Sequence, residues 1–239
     1  RADTYNHAGY MSFYITDPKL RHIYKASVRD RVLHHAIFRI LYPLFDRHFI
    51  HDSYSCRLKK GTHRAVDRLK SFLLKSSRNN TKNIFILKCD VRKFFDSIDH
   101  EILRGLLQAK ISNNETLKLL DKIIESYSTR LSKGIPLGNV TSQLWANIYL
   151  NELDQFIKHQ LKVKHYLRYC DDFIILGHSQ EDLLAMIIRI NGFLKTVLRL
   201  ELHPNKISIG TYRQGIDFLG YVVLPYHRVL RTKTKKRMF

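Results

Sequence analysis

The chain is short of acid. Its 239 residues carry 21 Asp and Glu against 41 Lys and Arg, a formal charge of +20. Such an excess strains a compact fold by self-repulsion and points to a polyanionic partner, nucleic acid first. An acidic membrane surface fits less well, because the basic residues are spread along the chain and not gathered on one amphipathic helix. No run of roughly 18 apolar residues occurs, so no membrane-spanning helix is expected. The opening Arg1-Ala2-Asp3 has neither an initiating Met nor a signal peptide, and a fragment or processed chain is expected. Cysteine is scarce: Cys56, Cys89 and Cys170 are odd in number and isolated, which excludes a disulfide framework and fits a reducing cytoplasm. Histidine is plentiful, at 13, yet no Cys/His spacing resembles a zinc site. Internal repeats are absent. What is present is 44% hydrophobic residues, enough for one large domain or two small ones.

The chain can be read around His165-Tyr166-Leu167-Arg168-Tyr169-Cys170-Asp171-Asp172-Phe173-Ile174-Ile175-Leu176. Its flanks are rich in strand-favouring Tyr, Phe and Ile, while Asp suits turns. A β-hairpin with Asp171 and Asp172 at or beside its tip is the simplest local structure. Two adjacent carboxylates repel unless a positive charge sits near them, and Mg²⁺ meets that need with oxygen ligands. A solvated acidic turn would look the same locally.

Ser12–Thr16 predicts a short strand ended by Asp17-Pro18, within an aromatic, basic front. Val28 to Phe49 has a helical apolar period interrupted by Pro43. Arg57, Lys59, Lys60 and Arg64 crowd around Gly61 before a helix from Arg64 to Leu74, a connection that could hold phosphates or be merely solvated. The polar run Ser76–Asn83 is the best subdomain boundary. Ile84–Val91 then reads as a strand with Asp90 near its end, where ligands commonly sit. Asp99 caps a following helix, a second runs from Asn114 to Tyr127, and Gly134-Ile135-Pro136-Leu137-Gly138-Asn139 breaks the pattern. Thr141 or Ser142 opens a long helix through Gln160, and Ser179 with Asp182 starts another that reaches Leu198. Pro204 breaks the next segment, Asp217–Leu224 reads as one strand, and His227–Phe239 is basic without an apolar face. The order is a helical front, then β-α-α-α-β-β-α-β-β, an α+β sheet covered by helices.

Asp90 and the Asp171-Asp172 pair each lie beside an apolar strand. If those strands are sheet neighbours, three carboxylates converge, and such a trio can hold two Mg²⁺ ions for phosphoryl transfer. Arg57, Lys60 and Lys206 could neutralise a triphosphate. Cys89 and Cys170 flank the acids, but Mg²⁺ prefers oxygen, so both read as small packing residues.

These blocks resemble a reverse transcriptase over nearly the whole chain. Tyr169-Cys170-Asp171-Asp172 matches the family's Tyr-X-Asp-Asp box, and Cys89-Asp90-Val91-Arg92-Lys93-Phe94-Phe95 its first palm motif. The resemblance implies a right-hand polymerase fold, with fingers over 1–83, a palm with an antiparallel sheet over 84–225, and a basic connection over 226–239 towards a largely absent thumb. It implies Asp90, Asp171 and Asp172 as catalytic carboxylates, holding two Mg²⁺ (Mn²⁺ as an alternative) together with Val91, and Phe95 as the aromatic gate under the nucleotide sugar. Asn205-Lys206 fits the motif that places a lysine near the triphosphate. Phe218-Leu219-Gly220-Tyr221 resembles the primer-grip hairpin. Arg57 and Lys60 match two basic finger residues, although the usual Arg-Pro-Gly-Arg is here Arg57-Leu58-Lys59-Lys60.

The box Ile135-Pro136-Leu137-Gly138-Asn139-Val140-Thr141-Ser142-Gln143 departs from most of the family, which has Gln at the Leu137 position and Pro at the Gln143 position. Its ending is similar to the reverse transcriptases of bacterial and phage diversity-generating retroelements. There an aliphatic residue at the Leu137 position sits against the incoming nucleotide and accompanies error-prone copying of template adenines. An aliphatic side chain cannot hydrogen-bond the nucleotide and so selects less sharply. The implied partners are an RNA template, a DNA or RNA primer, dNTPs and an accessory RNA-binding protein of the retroelement. Retron-, group II intron- and defence-associated enzymes are the alternatives with the same chemistry. A catalytically inactive RNA-binding scaffold is the alternative of another class, which the intact trio argues against.

Overall fold

The computed structural model describes residues 4–17 and 19–237. The chain opens with β1 (Met11–Ile15) and β2 (Arg21–Lys25), an antiparallel hairpin with Met11 opposite Lys25. The sequence predicts β1 alone. Arg21 and Lys25 at the ends of β2 mask its strand character, and the pairing with β1 supplies what its residues lack. Next comes α1 (Val28–Asp46), whose N-cap Ser27 accepts from the Asp30 N–H. It runs straight through Pro43, where an interruption is expected. Pro43 is exposed in the last turns, and so is Arg39, the residue four positions earlier whose helical partner the proline ring removes.

Gly61, at φ 113°, leads into α2 (Thr62–Ser76). The chain then forms β3 (Phe85–Asp90), α3 (Phe94–Ser97) and α4 (His100–Gln108). Asp99 caps α4 as predicted, accepting from the N–H groups of Glu101 and Ile102. After α5 (Asn114–Glu125) comes α6 (Val140–Gln155), and the long helix expected to Gln160 changes to a π-helical turn over Phe156–Gln160. β4 (Tyr166–Tyr169) and β5 (Asp172–Gly177) are the acidic hairpin, followed by α7 (Gln180–Val197), where Ser179 Oγ accepts from the Asp182 N–H at 3.2 Å.

The tail departs most from expectation. After β6 (Ser208–Thr211), the single strand expected over Asp217–Leu224 is two strands, β7 (Ile216–Phe218) and β8 (Tyr221–Val223). Leu219 and Gly220 turn between them at φ 51° and 87°, both left-handed, the conformation a two-residue hairpin with native twist requires. β9 (Arg228–Leu230) pairs with β8, and α8 (Thr232–Lys235) follows, so the basic tail is structured over its described residues, to Arg237; Met238 and Phe239 lie outside the described residues.

The backbone gathers into two compact units. The first takes the segment ending at Phe49, with Lys93–Glu152 and Lys195–Leu200; the second takes Ile50–Arg92, Leu153–Leu194 and the segment from Glu201 onward. The polar loop 76–83 lies within the second. The first unit is helical apart from the β1–β2 hairpin. Its buried His34 stands between Thr141 Oγ1, 3.1 Å from Nδ1, and His7 Nε2, 3.2 Å from Nε2. Burial first, then the neighbouring His7, lowers the His34 pKa to about 4.

The second unit holds an antiparallel sheet in the order β4-β5-β3-β6 and the smaller sheet β7-β8-β9. One face of the larger sheet, with Ile86, Leu167, Ile174 and Leu176, shares a core with Ala65, Val66, Leu69 and Leu73 of α2 and with Phe218 and Val223 of the smaller sheet. Leu87, Cys89, Phe173 and Ile175 point to the other face and are buried as well. Burial on both faces is why these strands read as near-continuous apolar runs and not as alternating ones. Among the described residues, no helix is long and apolar enough to cross a membrane.

Candidate active site

The second unit brings the three sequence-predicted carboxylates to one end of its sheet. In the register of β3 and β5, Asp90 stands directly opposite Asp172. Opposed residues of an antiparallel pair project to the same face, so the two carboxylates share one side of the sheet. Asp171 occupies the turn with Cys170, and its carbonyl accepts from the Val91 N–H at 3.3 Å. Val91, expected beside the metals, is therefore fixed against the acidic turn. The hairpin with its acids at the tip is as the sequence predicts.

Electrostatics mark the same spot. Asp90 is only 7% exposed, and Asp171 and Asp172 are half-buried. Burial first, then the Asp90 charge, raises the Asp171 carboxyl above the usual range. Asp172 is pushed up to about 6, by burial and then by Asp171 and Asp90. Both shifts have the same two causes in the same order: burial takes the carboxyls out of water, and the neighbouring carboxylates then add negative charge. The cation in contact is Lys206, whose Nζ lies 2.8 Å from Asp90 Oδ2. It is delivered by the short turn Pro204–Lys206, anchored where the His203 N–H donates to the Asp90 carbonyl at 2.8 Å.

Among the described residues, no three Asp, Glu, His or Cys groups stand close enough together to hold an ion. The donor chemistry fits one all the same. The set is all oxygen, as Mg²⁺ prefers, and the raised carboxyls are groups that a divalent cation would return to their charged form. The neighbouring thiols do not compete. Burial pushes Cys89 up to about 12 and Cys170 well above the usual range, so neither is a ready thiolate. Cys89 is a core residue, as the sequence predicts; Cys170 is instead a turn residue, at φ 57°.

The basic loop before α2 also belongs to this unit. Arg57 Nη1 donates to the carbonyls of Ile50 (2.7 Å) and Ser53 (3.0 Å), and Lys60 Nζ to that of His51 (2.7 Å). Both cations are thus held on their own loop. Gly61 gives α2 no side-chain cap, and no acid stands in the first turn, which leaves that helix end receptive to an anion. Phe218, Leu219, Gly220 and Tyr221 form the β7–β8 hairpin, with Tyr221 OH 3.4 Å from His63 Nδ1 at the start of α2.

Phe95, Leu137 and Gln143 lie in the first unit. Phe95 is partly exposed beside the buried Phe94, and its carbonyl accepts from the Ile135 N–H at 2.8 Å. The Leu137 carbonyl accepts from the Tyr24 N–H at 2.9 Å, which ties the Leu137 loop to β2. Gly138 permits this approach: at φ 118°, a Cβ there would stand 2.8 Å from Ile23 Cγ2. Gln143 is exposed in the first turn of α6.

One buried cluster beneath the hairpin escapes sequence reasoning. Arg168 and Asp154 are both fully buried and pair through two contacts, Nε to Oδ1 at 2.8 Å and Nη2 to Oδ2 at 2.6 Å. Tyr166 OH donates to the same carboxylate at 2.6 Å. The available signal was Asp154 among Leu150, Leu153 and Ile157 on an apolar helix face, which demands a buried partner.

Residues 16–223 match the family model described as reverse transcriptase (RNA-dependent DNA polymerase). Protein YkfC of Escherichia coli (strain K12) is 26% identical over 255 residues, covering 91% of this chain and 65% of YkfC. The group II intron-encoded protein LtrA of Lactococcus lactis subsp. cremoris is 26% identical over 288 residues, covering 92% of this chain and 46% of LtrA. The chain thus spans about half to two thirds of these curated relatives. Apo telomerase from Candida tropicalis, truncated from its C-terminal domain, superposes with a TM-score of 0.69 at 12% identity, over 93% of this chain and 55% of that one. That likeness concerns the fold, and it bears out the α+β polymerase architecture. The family match takes in every strand of the four-stranded sheet and both acidic sites, and the chain therefore belongs to the reverse transcriptase (RNA-dependent DNA polymerase) family.

Proposed function

We propose that this chain is the polymerising part of an RNA-directed DNA polymerase that copies RNA into cDNA, with Asp90, Asp171 and Asp172 as its catalytic carboxylates. The observation that carries the reading is the register that sets Asp90 against Asp172 with Asp171 in the adjoining turn. In this reading residues 1–83 act as fingers, 84–225 as palm and 226–239 as a connection onward. Asp90, Asp171, Asp172 and the Val91 carbonyl would hold divalent cations, Mg²⁺ or Mn²⁺. When bound, such ions acidify a hydroxyl nucleophile and offset charge on a leaving phosphate. The primer 3′-hydroxyl oxygen forms a bond to the α-phosphorus of the dNTP. The bond from that phosphorus to the bridging oxygen breaks, pyrophosphate leaves with the electron pair, and the hydroxyl proton passes to solvent. Lys206, which contacts Asp90, and Arg57 and Lys60, seated on the loop into α2, would supply positive charge to the triphosphate. By the family resemblance, Phe95 is assigned to the nucleotide sugar, Leu137 and Gln143 to the nucleotide, and Phe218–Tyr221 to the primer.

The Leu137 and Asn139-Val140-Thr141-Ser142-Gln143 pattern supports a lineage in diversity-generating retroelements of bacteria or phage, with error-prone copying at template adenines and an accessory RNA-binding partner. The similarity to LtrA favours a second lineage, the intron-encoded enzymes. Primer extension on a defined RNA by the protein containing this chain, followed by cDNA sequencing, tests both levels. Extension should vanish with Asp171→Asn while RNA binding persists; extension that survives refutes the site. Errors concentrated opposite adenine support the retroelement lineage, and a uniform, low error spectrum supports the intron one.

A further inference from the structure

We propose that Arg168 is the positioning residue of the acidic hairpin, its side chain locking the Cys170–Asp171 turn while its backbone carries the basic loop. The proposal rests on the reading of Asp171 and Asp172 as catalytic carboxylates.

A fully buried guanidinium persists only when it is paired and its remaining donors are satisfied. Asp154 takes two of the Arg168 nitrogens. The third, Nη1, donates to the Cys170 carbonyl at 3.0 Å. That carbonyl belongs to the peptide joining Cys170 to Asp171, so the bond fixes the plane from which the Asp171 side chain departs. The turn needs fixing, because Cys170 sits at φ 57°, a region that residues other than glycine rarely adopt unless their surroundings impose it.

The same residue reaches the opposite way through its backbone. The Arg168 N–H donates to the Asp52 carbonyl at 2.9 Å, and the Arg168 carbonyl accepts from the Tyr54 N–H at 3.0 Å. The Asp52 carboxylate is held in turn by Arg68 of α2, at 2.8 and 3.2 Å, and by Tyr54 OH at 3.1 Å. Residues 52–54 begin the loop on which Arg57 and Lys60 are seated, and the Gly61 N–H closes that loop on the Tyr54 carbonyl at 3.1 Å. One buried side chain and its own peptide groups therefore set the carboxylate turn and the basic loop in a common frame.

A purely structural ion pair makes a different forecast from a positioning one. Replacing a buried charged cluster by apolar residues of similar volume commonly leaves a fold intact. The test compares the protein containing this chain with the triple variant Arg168→Met, Asp154→Leu, Tyr166→Phe and with Arg168→Lys. The lysine keeps the charge for Asp154 but lacks the fork needed to reach Cys170 as well. Thermal unfolding, backbone hydrogen exchange over Tyr169–Phe173 in metal-free protein, and kcat and KM for dNTP are measured on each. The triple variant should unfold cooperatively, exchange at the turn at least about tenfold faster, and lose on the order of 10- to 100-fold in kcat/KM, with KM raised. Should it fail to fold, Arg168→Lys carries the same expectations. A folded variant with wild-type turn exchange, kcat and KM overturns the positioning role. Asp171→Asn, run alongside, separates the two claims: if it remains active the carboxylate reading falls, and if it is inactive while the Arg168 variants match wild type, only the positioning role falls.

Discussion

Neutralising one acid at the site should stabilise the protein while disabling it. Burial first, then Asp171 and Asp90, push the Asp172 carboxyl up to about 6 from its ordinary value of 3.8. A raised carboxyl favours the protonated form in the fold, so the stability it allows is present below the unfolded pKa and is lost as pH rises through about 6. The rise from 3.8 to about 6 corresponds to roughly 3 kcal/mol. Asp172 is partly exposed, and solvent screening reduces the contribution to about 1–2 kcal/mol. Asp172→Asn removes the charge with little change in shape. In EDTA at pH 8 the variant should therefore melt about 2–8 °C above wild type. At pH 4, where the folded wild-type carboxyl is already protonated, most of that gain should be gone. Thermal unfolding at the two pH values measures it, and primer extension should show the stabilised variant inactive. Adding Mg²⁺ at pH 8 should raise the wild-type melting temperature more than that of the variant, since the ion relieves the same repulsion. A variant that melts lower at pH 8, or gains equally at both pH values, would refute the charge-crowding argument.

Gly138→Ala should destabilise by about 1–3 kcal/mol, because the backbone is left-handed and the new Cβ meets Ile23; denaturant titration checks it, and an unchanged midpoint refutes the tight approach of that loop to β2. His34 supplies the opposite pH dependence: its folded pKa of about 4 is depressed, so its contribution is present above the unfolded value and is lost as pH falls from about 6.5 towards 4, by up to about 3 kcal/mol. Stability curves at pH 7, 5.5 and 4 should steepen accordingly in wild type and flatten in His34→Gln. If Leu137 borders the nucleotide as proposed, Leu137→Gln, which introduces a hydrogen-bonding side chain, should lower misincorporation opposite template adenine; an unaltered cDNA error spectrum counts against the retroelement lineage.

Much of the site was legible because its signals are local. An apolar strand ending in Asp90, and two acids between strand-forming flanks, state their positions in a few residues each, and charge alone makes a polyanionic partner the expectation. Caps such as Asp99 and Ser179 were readable for the same reason, since a side chain bonds a backbone group only two or three positions away. Elements whose stability comes from a partner were not: β2 is a strand because β1 lies beside it, and apolar patterning over Phe218–Leu224 does not show the break at Leu219-Gly220, which only the resemblance to a primer-grip hairpin marked.

The sequence by itself therefore determined the chemistry available to this protein: three carboxylates, a set of cations and a motif order found in one family. Tertiary structure alone decided the register that sets Asp90 against Asp172, the burial and crowding that raise Asp171 and Asp172, and the buried Arg168–Asp154 pair beneath them. Register, burial and ion pairing are relations between residues distant in the chain. They exist only once the backbone has folded and water has been excluded from between them.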